Sequence, residues 1–344
     1  MDLEKRKEVL FFLGKCFKDV IGGKNDLNFP GFKNIFNHNP WFTEEFVKYN
    51  FLYWSKVLTN EKINAWLSKY SNLDNKLSDK TLAMILAGNI PLVGLHDIIC
   101  GIISGVKIKI KLSSKDCLLT KWIIEIITKK YPVLNERIFI EDKILKDFDA
   151  VIATGSNNSN RYFKYYFGKY PNILRKNKNS VAVLSGKESD AELSLLADDI
   201  FIYFGLGCRS VSKIFVPEGY NFDNLLNAFQ KYSHLIQHNK YANNYDYLKA
   251  MAQMNKKDFF DAGNILLIES ENIVSAIAVL NFSYYNKIEE VKNELKQKHN
   301  KIQCVISNNF VCENQIDFGQ SQNPKIDNYA DNIDTINFLT DLKI

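Results

Sequence analysis

Apolar residues in the first part of the chain recur at helical spacing. Residues 41–54 and 62–70 both show this spacing and are rich in aromatic side chains. These aromatic residues can form a packing face between helices, or an apolar wall that receives an acyl chain, and the pattern alone leaves both open. We therefore predict a helical N-terminal region over residues 1–79.

From Lys80 onward the pattern changes to short apolar strands that alternate with helices. The predicted strands are residues 82–87, 106–111, 137–141 and 149–153, with helices over 92–104 and 115–130. Alternation of this kind is typical of a parallel sheet with helices on its faces. It predicts an α/β domain over residues 80–186.

A second α/β pattern follows the boundary that we expect near Gly186. A helix over 190–204 leads to Cys208, and the predicted strands are residues 212–216, 265–269, 276–282 and 303–307. This pattern predicts a second α/β domain over residues 187–310. We expect the remaining tail, 311–344, to pack back on a cleft between the domains or on the first domain.

Composition narrows the class of protein. The chain has 344 residues with a formal charge of +5, and its lysines are interleaved with acids. Without a basic run that carries aromatic residues, nucleic acid is not an expected partner. The longest apolar region, residues 82–106, is interrupted by polar residues, so no membrane span is predicted. The N-terminus does not resemble a secretory signal.

The six cysteines are dispersed along the chain. They show neither a Cys-x-x-Cys pair nor a Cys/His spacing suited to zinc. Reduced thiols, a cytoplasmic location and no metal cofactor are the expectation.

One cysteine lies in an unusual segment, residues 201–217, where an apolar run ends at a Gly-Leu-Gly turn. Gly205 and Gly207 permit backbone angles that a side chain would block, and Cys208 follows at once. Such a turn can present the sulfur as a nucleophile, and the neighbouring Arg209 could favour the thiolate. The alternative is that Cys208 is a small buried apolar residue.

Small polar residues follow the predicted strands of the first domain. They are Asn89, Ser113 and Ser114, and Thr154, Gly155 and Ser156. Ligands of parallel sheets bind at the carboxyl ends of the strands, where these residues are expected. The Gly-x-Gly-x-x-Gly fingerprint is absent. Ser156 would equally serve as the N-cap of a helix.

Four segments, taken in order, resemble the aldehyde dehydrogenase superfamily: GNIPL at 88–92, KIKLSS at 109–114, ATGS at 153–156 and GLGC at 205–208. Together with the segment FGQSQNP at 318–324 and DNYADNIDTINFL after it, they are most similar to the long-chain acyl-CoA reductases, which include the fatty acid reductase subunit of bacterial bioluminescence. The resemblance implies an aldehyde-dehydrogenase-like α/β fold with two α/β domains.

The resemblance also implies roles for individual residues. Cys208 corresponds to the nucleophile that takes the acyl group from a thioester, and Asn89 to the amide donor that stabilises the oxyanion with the Cys208 N–H. Lys111 corresponds to the lysine that contacts the adenosine ribose, with Ser113 and Ser114 beside it. Ser114 stands where NAD-preferring relatives carry a glutamate, so we expect NADPH. Residues 154–156 are expected to meet the cofactor phosphates.

One departure from the superfamily concerns the glutamate that activates water in the oxidising members. We align its segment with residues 183–186, Val-Leu-Ser-Gly, which carry no acid. An enzyme without this base should not hydrolyse its acyl thioester, which favours reduction of the acyl group over oxidation of an aldehyde to the acid. For the glutamate that holds the nicotinamide ribose, Glu269 and Glu271 are both candidates.

The resulting hypothesis is an NADPH-dependent reductase that converts a long-chain acyl-CoA, or an acyl-carrier thioester, to an aldehyde. The resemblance implies an acyl-activating protein partner; a homo-oligomer is a separate expectation. The alternatives are an aldehyde dehydrogenase that oxidises its substrate, and a non-catalytic homologue that binds nucleotide.

Overall fold

The computed structural model describes residues 1–24, 28–73, 77–309, 311–313 and 315–342 of the chain. They form two compact units. The first unit comprises Met1–Lys176 and Lys325–Ile344, and the second comprises Asn177–Pro324.

The N-terminal region of the first unit is helical, as predicted. Its helices are α1 (Leu3–Ile21), α2 (Phe32–His38), α3 (Glu44–Val57) and α4 (Asn60–Leu67). Three of them begin where a short polar side chain caps the first turn: Asp2, Thr43 and Thr59 each accept a hydrogen bond from a backbone N–H three residues on. Their apolar faces join the core of the unit.

A five-stranded parallel sheet forms the centre of the first unit. Its strands are β1 (Thr81–Ile85), β2 (Lys107–Lys111), β3 (Ile138–Ile140), β4 (Ala150–Thr154) and β5 (Asn172–Arg175), in the order β3-β2-β1-β4-β5. The connecting helices are α5 (Leu95–Ser104), α6 (Cys117–Lys130) and α7 (Asn157–Phe167). The order reverses between β1 and β4, which is the position where ligands of such sheets bind.

The second unit contains a six-stranded sheet. Its strands are β6 (Asn179–Val183), β7 (Val211–Pro217), β8 (Phe259–Asp261), β9 (Leu266–Glu269), β10 (Val279–Tyr285) and β11 (Ile302–Ile306). Their order in the sheet is β11-β6-β7-β10-β9-β8, and only β8 pairs antiparallel. The helices are α8 (Asp190–Phe201), α9 (Asp223–Phe229), α10 (Asn239–Met254) and α11 (Ile288–Gln297).

The division between the units differs from the expected boundary near Gly186. Strand β6 lies before that glycine, yet it pairs with β7 and β11 and thus belongs to the second sheet. The tail is also divided, because residues up to Pro324 belong to the second unit and the rest to the first. There α12 (Thr335–Asp341) packs near α5, and Thr335 accepts a hydrogen bond from the buried Arg175.

The α/β fold class predicted from the sequence is confirmed by these two sheets. None of the helices in the described parts of the chain has the length and apolar character that a membrane crossing requires.

Candidate active site

The structure brings the predicted residues of the first unit to one edge of its sheet. Asn89 follows β1, Ser113 and Ser114 follow β2, and residues 154–156 end β4 and begin the next turn. Because β2, β1 and β4 are neighbours and parallel, their carboxyl ends lie side by side. The sequence prediction of a shared strand-end edge is therefore met by the topology.

The turns after β1 and β2 are in direct contact. A Cβ at the buried Gly88 would lie 2.4 Å from Ser113 Oγ and 3.1 Å from Lys115 Cβ, far inside normal contact distance. Only glycine permits this approach. The turn that carries Asn89 and the loop that carries Ser113 consequently form one packed structure.

The N-terminal helices hold the same loop from another side. His38 at the end of α2 lies with its Nε2 2.7 Å from the carbonyl oxygen of Ser114. The next residue, Asn39, is buried and donates its side-chain amide to the carbonyl of Lys115 at 3.1 Å. Sequence reasoning missed this role, since the contact joins residues 76 positions apart.

Lys111 ends β2, as predicted, and its amine donates to the backbone carbonyl oxygens of Asp142 and Lys143. These carbonyls belong to the loop after β3, the neighbouring strand. The lysine charge is therefore held at the carboxyl edge of the sheet by main-chain oxygens.

Residues 154–156 form the junction between β4 and α7. Ser156 is the N-cap of α7, and its Oγ accepts a hydrogen bond from the Ser159 N–H at 3.1 Å. Gly155 donates its N–H to the carbonyl of Arg175, and a Cβ at this position would lie 2.9 Å from Phe163. The N-terminus of an α-helix attracts anions through its backbone N–H groups and dipole. This junction can therefore receive a phosphate group.

Cys208 follows a strained turn in the second unit. Helix α8 ends at Phe201, and Tyr203, Phe204 and Gly205 then have positive φ angles of 58°, 55° and 70°. Left-handed backbone at a bulky residue costs on the order of 1–3 kcal/mol and persists only where packing enforces it. The rings of Tyr203 and Phe204 are buried, which provides that packing. Strain of this kind is typical of functional sites.

The main chain at Cys208 is tied to the neighbouring strands. The fully buried Ser180 on β6 donates its hydroxyl to the Cys208 carbonyl at 3.1 Å, and the same hydroxyl accepts the Cys304 N–H at 3.2 Å. Arg209 lies with Nη1 3.2 Å from Cys304 Sγ. Burial raises the pKa of the Cys304 thiol, and the charge of Arg209 partly opposes this.

Cys208 is half-buried, whereas Cys16, Cys100 and Cys304 are buried. Burial raises the pKa of the Cys16 thiol to about 12, and it also raises the pKa of the Cys100 and Cys312 thiols. A raised pKa leaves little thiolate at neutral pH, so these cysteines are poor nucleophiles.

The segment FGQSQNP, whose chemistry the sequence did not reveal, packs in the second unit beside the Cys208 turn. The buried Asp199 on α8 accepts the N–H groups of Gly319 and Ser321 at 2.6 and 2.9 Å. Gln322 then donates to Ser210 Oγ at 3.2 Å, two residues after the cysteine. Burial raises the pKa of Asp199 to about 6, although the hydrogen bonds from Gly319 and Ser321 act to lower it.

The alignment of residues 183–186 with the water-activating segment is wrong on geometric grounds. These residues lie at the carboxyl end of β6, where Val183 pairs with Phe215 near the end of β7. Cys208 lies before the start of β7, at the opposite edge of the parallel sheet. The N–H groups of Ser185 and Gly186 instead donate to the carboxylate of Glu188, which follows in the same turn.

Of the two glutamates considered for the nicotinamide ribose, Glu269 ends β9 and Glu271 lies in the loop that follows. The Glu271 carboxylate is 3.8 Å from the amine of the buried Lys213. Within the described ranges, no group of three or more His, Cys, Asp or Glu side chains could hold a metal ion.

Solved structures with the same architecture are aldehyde dehydrogenases. Aldehyde dehydrogenase 21 from Physcomitrella patens is 14% identical, with a TM-score of 0.66 over 100% of this chain and 85% of that chain. The aldehyde dehydrogenase KauB from Pseudomonas aeruginosa is 12% identical, with a TM-score of 0.63 over 90% and 73%. Aldehyde dehydrogenase C from Pseudomonas syringae, solved with NAD+ and octanal, is 11% identical, with a TM-score of 0.64 over 89% and 72%. The fold is thus that of the aldehyde dehydrogenases.

The sequence itself matches the family model of the acyl-CoA reductase LuxC over residues 62–256, more than half of the chain. The chain belongs to the LuxC acyl-CoA reductase family. The matched range includes every predicted site residue from Asn89 to Cys208, but it ends before the FGQSQNP segment. A comparison with curated proteins found no match. Family and fold together make the chain an oxidoreductase that acts on an aldehyde or acyl group.

Proposed function

We propose that this protein reduces a long-chain acyl thioester to the fatty aldehyde with NADPH, through an acyl group held on Cys208. The observation that carries the proposal is the strained turn at Tyr203 and Phe204, which leads directly into a half-buried cysteine. A cysteine that served only as packing would not require two aromatic residues in the left-handed region. The family to which the chain belongs supports the same reaction.

In the proposed acylation step, the Cys208 sulfur attacks the carbonyl carbon of the thioester. A new bond forms between carbon and the Cys208 sulfur, the bond to the leaving sulfur breaks, and the leaving thiolate takes up the proton that Cys208 loses. The product is an acyl thioester on the protein and a free thiol such as coenzyme A. Asn89 and the Cys208 N–H would donate to the oxyanion, and one such donor contributes roughly 100- to 1,000-fold in rate.

The carboxyl edge of the first sheet fits a nicotinamide dinucleotide. The Ser156 hydroxyl and the N-terminus of α7 would hold the phosphates, and Ser113, Ser114 and Lys111 would surround the adenosine ribose. Ser114 is exposed and carries no negative charge that would repel a 2′-phosphate, which favours NADPH. When bound, this cofactor supplies the hydride that reduces the acyl group. Aldehyde dehydrogenase C, of the same fold, was solved with NAD+.

Aldehyde oxidation is the second candidate. Residues 183–186 lie at the far edge of the second sheet from Cys208, so the missing acid there is no argument against hydrolysis of the thioester. The direction of the reaction must therefore be measured.

The test uses the purified full-length chain with NADPH and a long-chain acyl-CoA, and it follows both the loss of NADPH and the formation of aldehyde. We expect turnover by the wild type, slower turnover with NADH, and none by Cys208→Ala. Cys312→Ala is the matched control, because Cys312 is a half-buried cysteine of the same unit, and it should retain activity.

A parallel reaction supplies the fatty aldehyde and NADP+ and measures the acid. Fast formation of acid without reduction of acyl-CoA would establish the oxidative candidate instead. Equal activity of Cys208→Ala and the wild type would overturn both the reductive and the oxidative candidate, because each of them requires Cys208 as the nucleophile. An acyl-carrier thioester replaces acyl-CoA in a third reaction, which identifies the better donor.

A further inference from the structure

The turn that carries Asn89 is held between two fixed points. At one end, Gly88 packs so closely against Ser113 that a Cβ added to the glycine would lie 2.4 Å from the Ser113 hydroxyl oxygen. At the other end, Leu92 is 2% exposed and has a left-handed backbone with φ of 53°. Only residues 89–91 lie between these points.

Those three residues have little freedom of their own. The ring of Pro91 fixes its φ angle, and it disfavours helical backbone at Ile90. The backbone of Asn89 is therefore set largely by where Gly88 and Leu92 are held. A shift at Leu92 would be passed through two stiff residues to the side-chain amide of Asn89.

Leu92 is held by a buried acid that sequence reasoning did not select. The Leu92 N–H donates to Asp116 Oδ2 at 2.8 Å. Asp116 stands at the N-cap position of α6, but its side chain makes no capping hydrogen bond to that helix. The carboxyl group, 4% exposed, reaches across to the turn after β1 instead.

The second oxygen of this acid is unusual. Asp116 Oδ1 is buried and has no hydrogen-bond partner among the residues that the structure describes. A buried carboxyl group with one hydrogen bond is costly, and a helix cap would not require it. Its position is explained if the contact with Leu92 serves the chemistry of the turn.

We propose that Asp116 is a positioning residue for Asn89: through the Leu92 N–H it fixes the turn and directs the Asn89 amide at the thioester oxygen. This inference rests on the proposed function of Asn89 and deepens it. Burial raises the pKa of Asp116 well above its ordinary value, so the neutral acid is favoured. Asparagine has the same shape and an oxygen that can accept the Leu92 N–H.

The test is a double-mutant cycle on the full-length chain, with the single-turnover release of coenzyme A thiol as the readout. We expect Asp116→Ala to slow acylation roughly 10- to 100-fold, since small misplacements of a reacting group have effects of that size. Asp116→Asn should restore most of the rate. In the Asn89→Ala background, Asp116→Ala should change the rate by less than about 3-fold, because the group that it positions is already gone.

Independent effects of the two substitutions, multiplied in the double variant, would overturn the inference and leave the role of Asn89 intact. A wild-type rate in Asn89→Ala would remove the proposed function of Asn89 itself, and the inference with it. If Asp116→Ala folds poorly, Asp116→Ser takes its place, because its hydroxyl is one bond closer to the main chain and does not reach Leu92. Asp258→Ala, at an exposed aspartate, is the control and should be neutral.

Discussion

Ser180→Ala tests whether the strands of the second unit hold Cys208 in place. The serine hydroxyl is the only group changed, and it serves two partners at once, the Cys208 carbonyl and the Cys304 N–H. A buried polar group left without a partner costs about 1–3 kcal/mol. The Cys304 N–H is buried and takes the full penalty, whereas the Cys208 carbonyl is partly exposed and can bind water. We therefore expect a loss of about 2–3 kcal/mol in the free energy of unfolding.

The matched control is Ser212→Ala in the same sheet. Its hydroxyl donates to the Ile273 carbonyl at 2.7 Å, so the substitution leaves one principal acceptor without its donor, and we expect a loss of about 1 kcal/mol. Urea denaturation followed by circular dichroism ranks the two variants. Single-turnover release of the thiol from acyl-CoA should be slowed in Ser180→Ala and nearly unchanged in Ser212→Ala. Equal stability of the two variants, or an unchanged acylation rate in Ser180→Ala, would refute the reasoning.

Three further substitutions test other parts of the account. Gly88→Ala should displace the loop after β2 and raise the KM for NADPH about 10-fold or more, whereas in a chain that already carries Ser113→Gly the same substitution should change the KM little, because the side chain that it meets is gone; an unchanged KM in the single Gly88 variant would contradict the close contact. Asp97→Ala removes the carboxylate that pairs with the buried Arg175, and the free energy of unfolding measured by urea denaturation should fall by roughly 3–5 kcal/mol. The double variant Asp97→Leu with Arg175→Met replaces both charges by apolar side chains and should recover most of this loss. For Asp199, the folded pKa of about 6 lies above the ordinary value of 3.8, so the native state gains stability as the pH falls through 6. Relative to Asp199→Asn, the free energy of unfolding of the wild type should rise by about 2–2.5 kcal/mol between about pH 7 and pH 4, and a flat difference would contradict the raised pKa.

Much of the fold follows from local sequence patterns. The alternation of apolar strands with helices predicted both α/β units, and the helical spacing over residues 41–54 and 62–70 predicted α3 and α4. The elements that no local pattern predicts include α7, β5 and β6, which lie between residues 157 and 183, and the three-residue strand β8. Helix α7 is polar, with exposed tyrosines at 162, 165 and 166 and few apolar residues to mark a buried face, and β5 has only four residues.

The missed strand β6 explains the misplaced segment at 183–186. Without β6, those residues were assigned to the first domain and aligned with a segment beside the nucleophile. Strand pairing places them in the second sheet instead, at the edge away from Cys208. Pairing between strands distant in sequence depends on tertiary packing, which a local pattern does not reveal.

Local sequence patterns likewise predict only part of the candidate site. Motif resemblance selected Asn89, Cys208 and the strand-end residues, because each follows a recognisable strand or turn. The side chains that hold these turns carry no such local signal. Asp116 before a helix predicts a cap, yet its partner is Leu92 on another turn. Asp199, Ser180 and Gln322 likewise contact residues far away in the sequence.

The central claim is that an acyl group is carried on Cys208, and mass spectrometry of the protein treated with a long-chain acyl-CoA tests it most directly. After rapid acid quenching without NADPH, digestion should give one peptide that contains residue 208 and carries the acyl mass, and hydroxylamine should remove that mass. Addition of NADPH before quenching should discharge it as aldehyde. An acyl group on another cysteine, or a Cys208 peptide without any acyl mass while aldehyde still forms, would contradict the account.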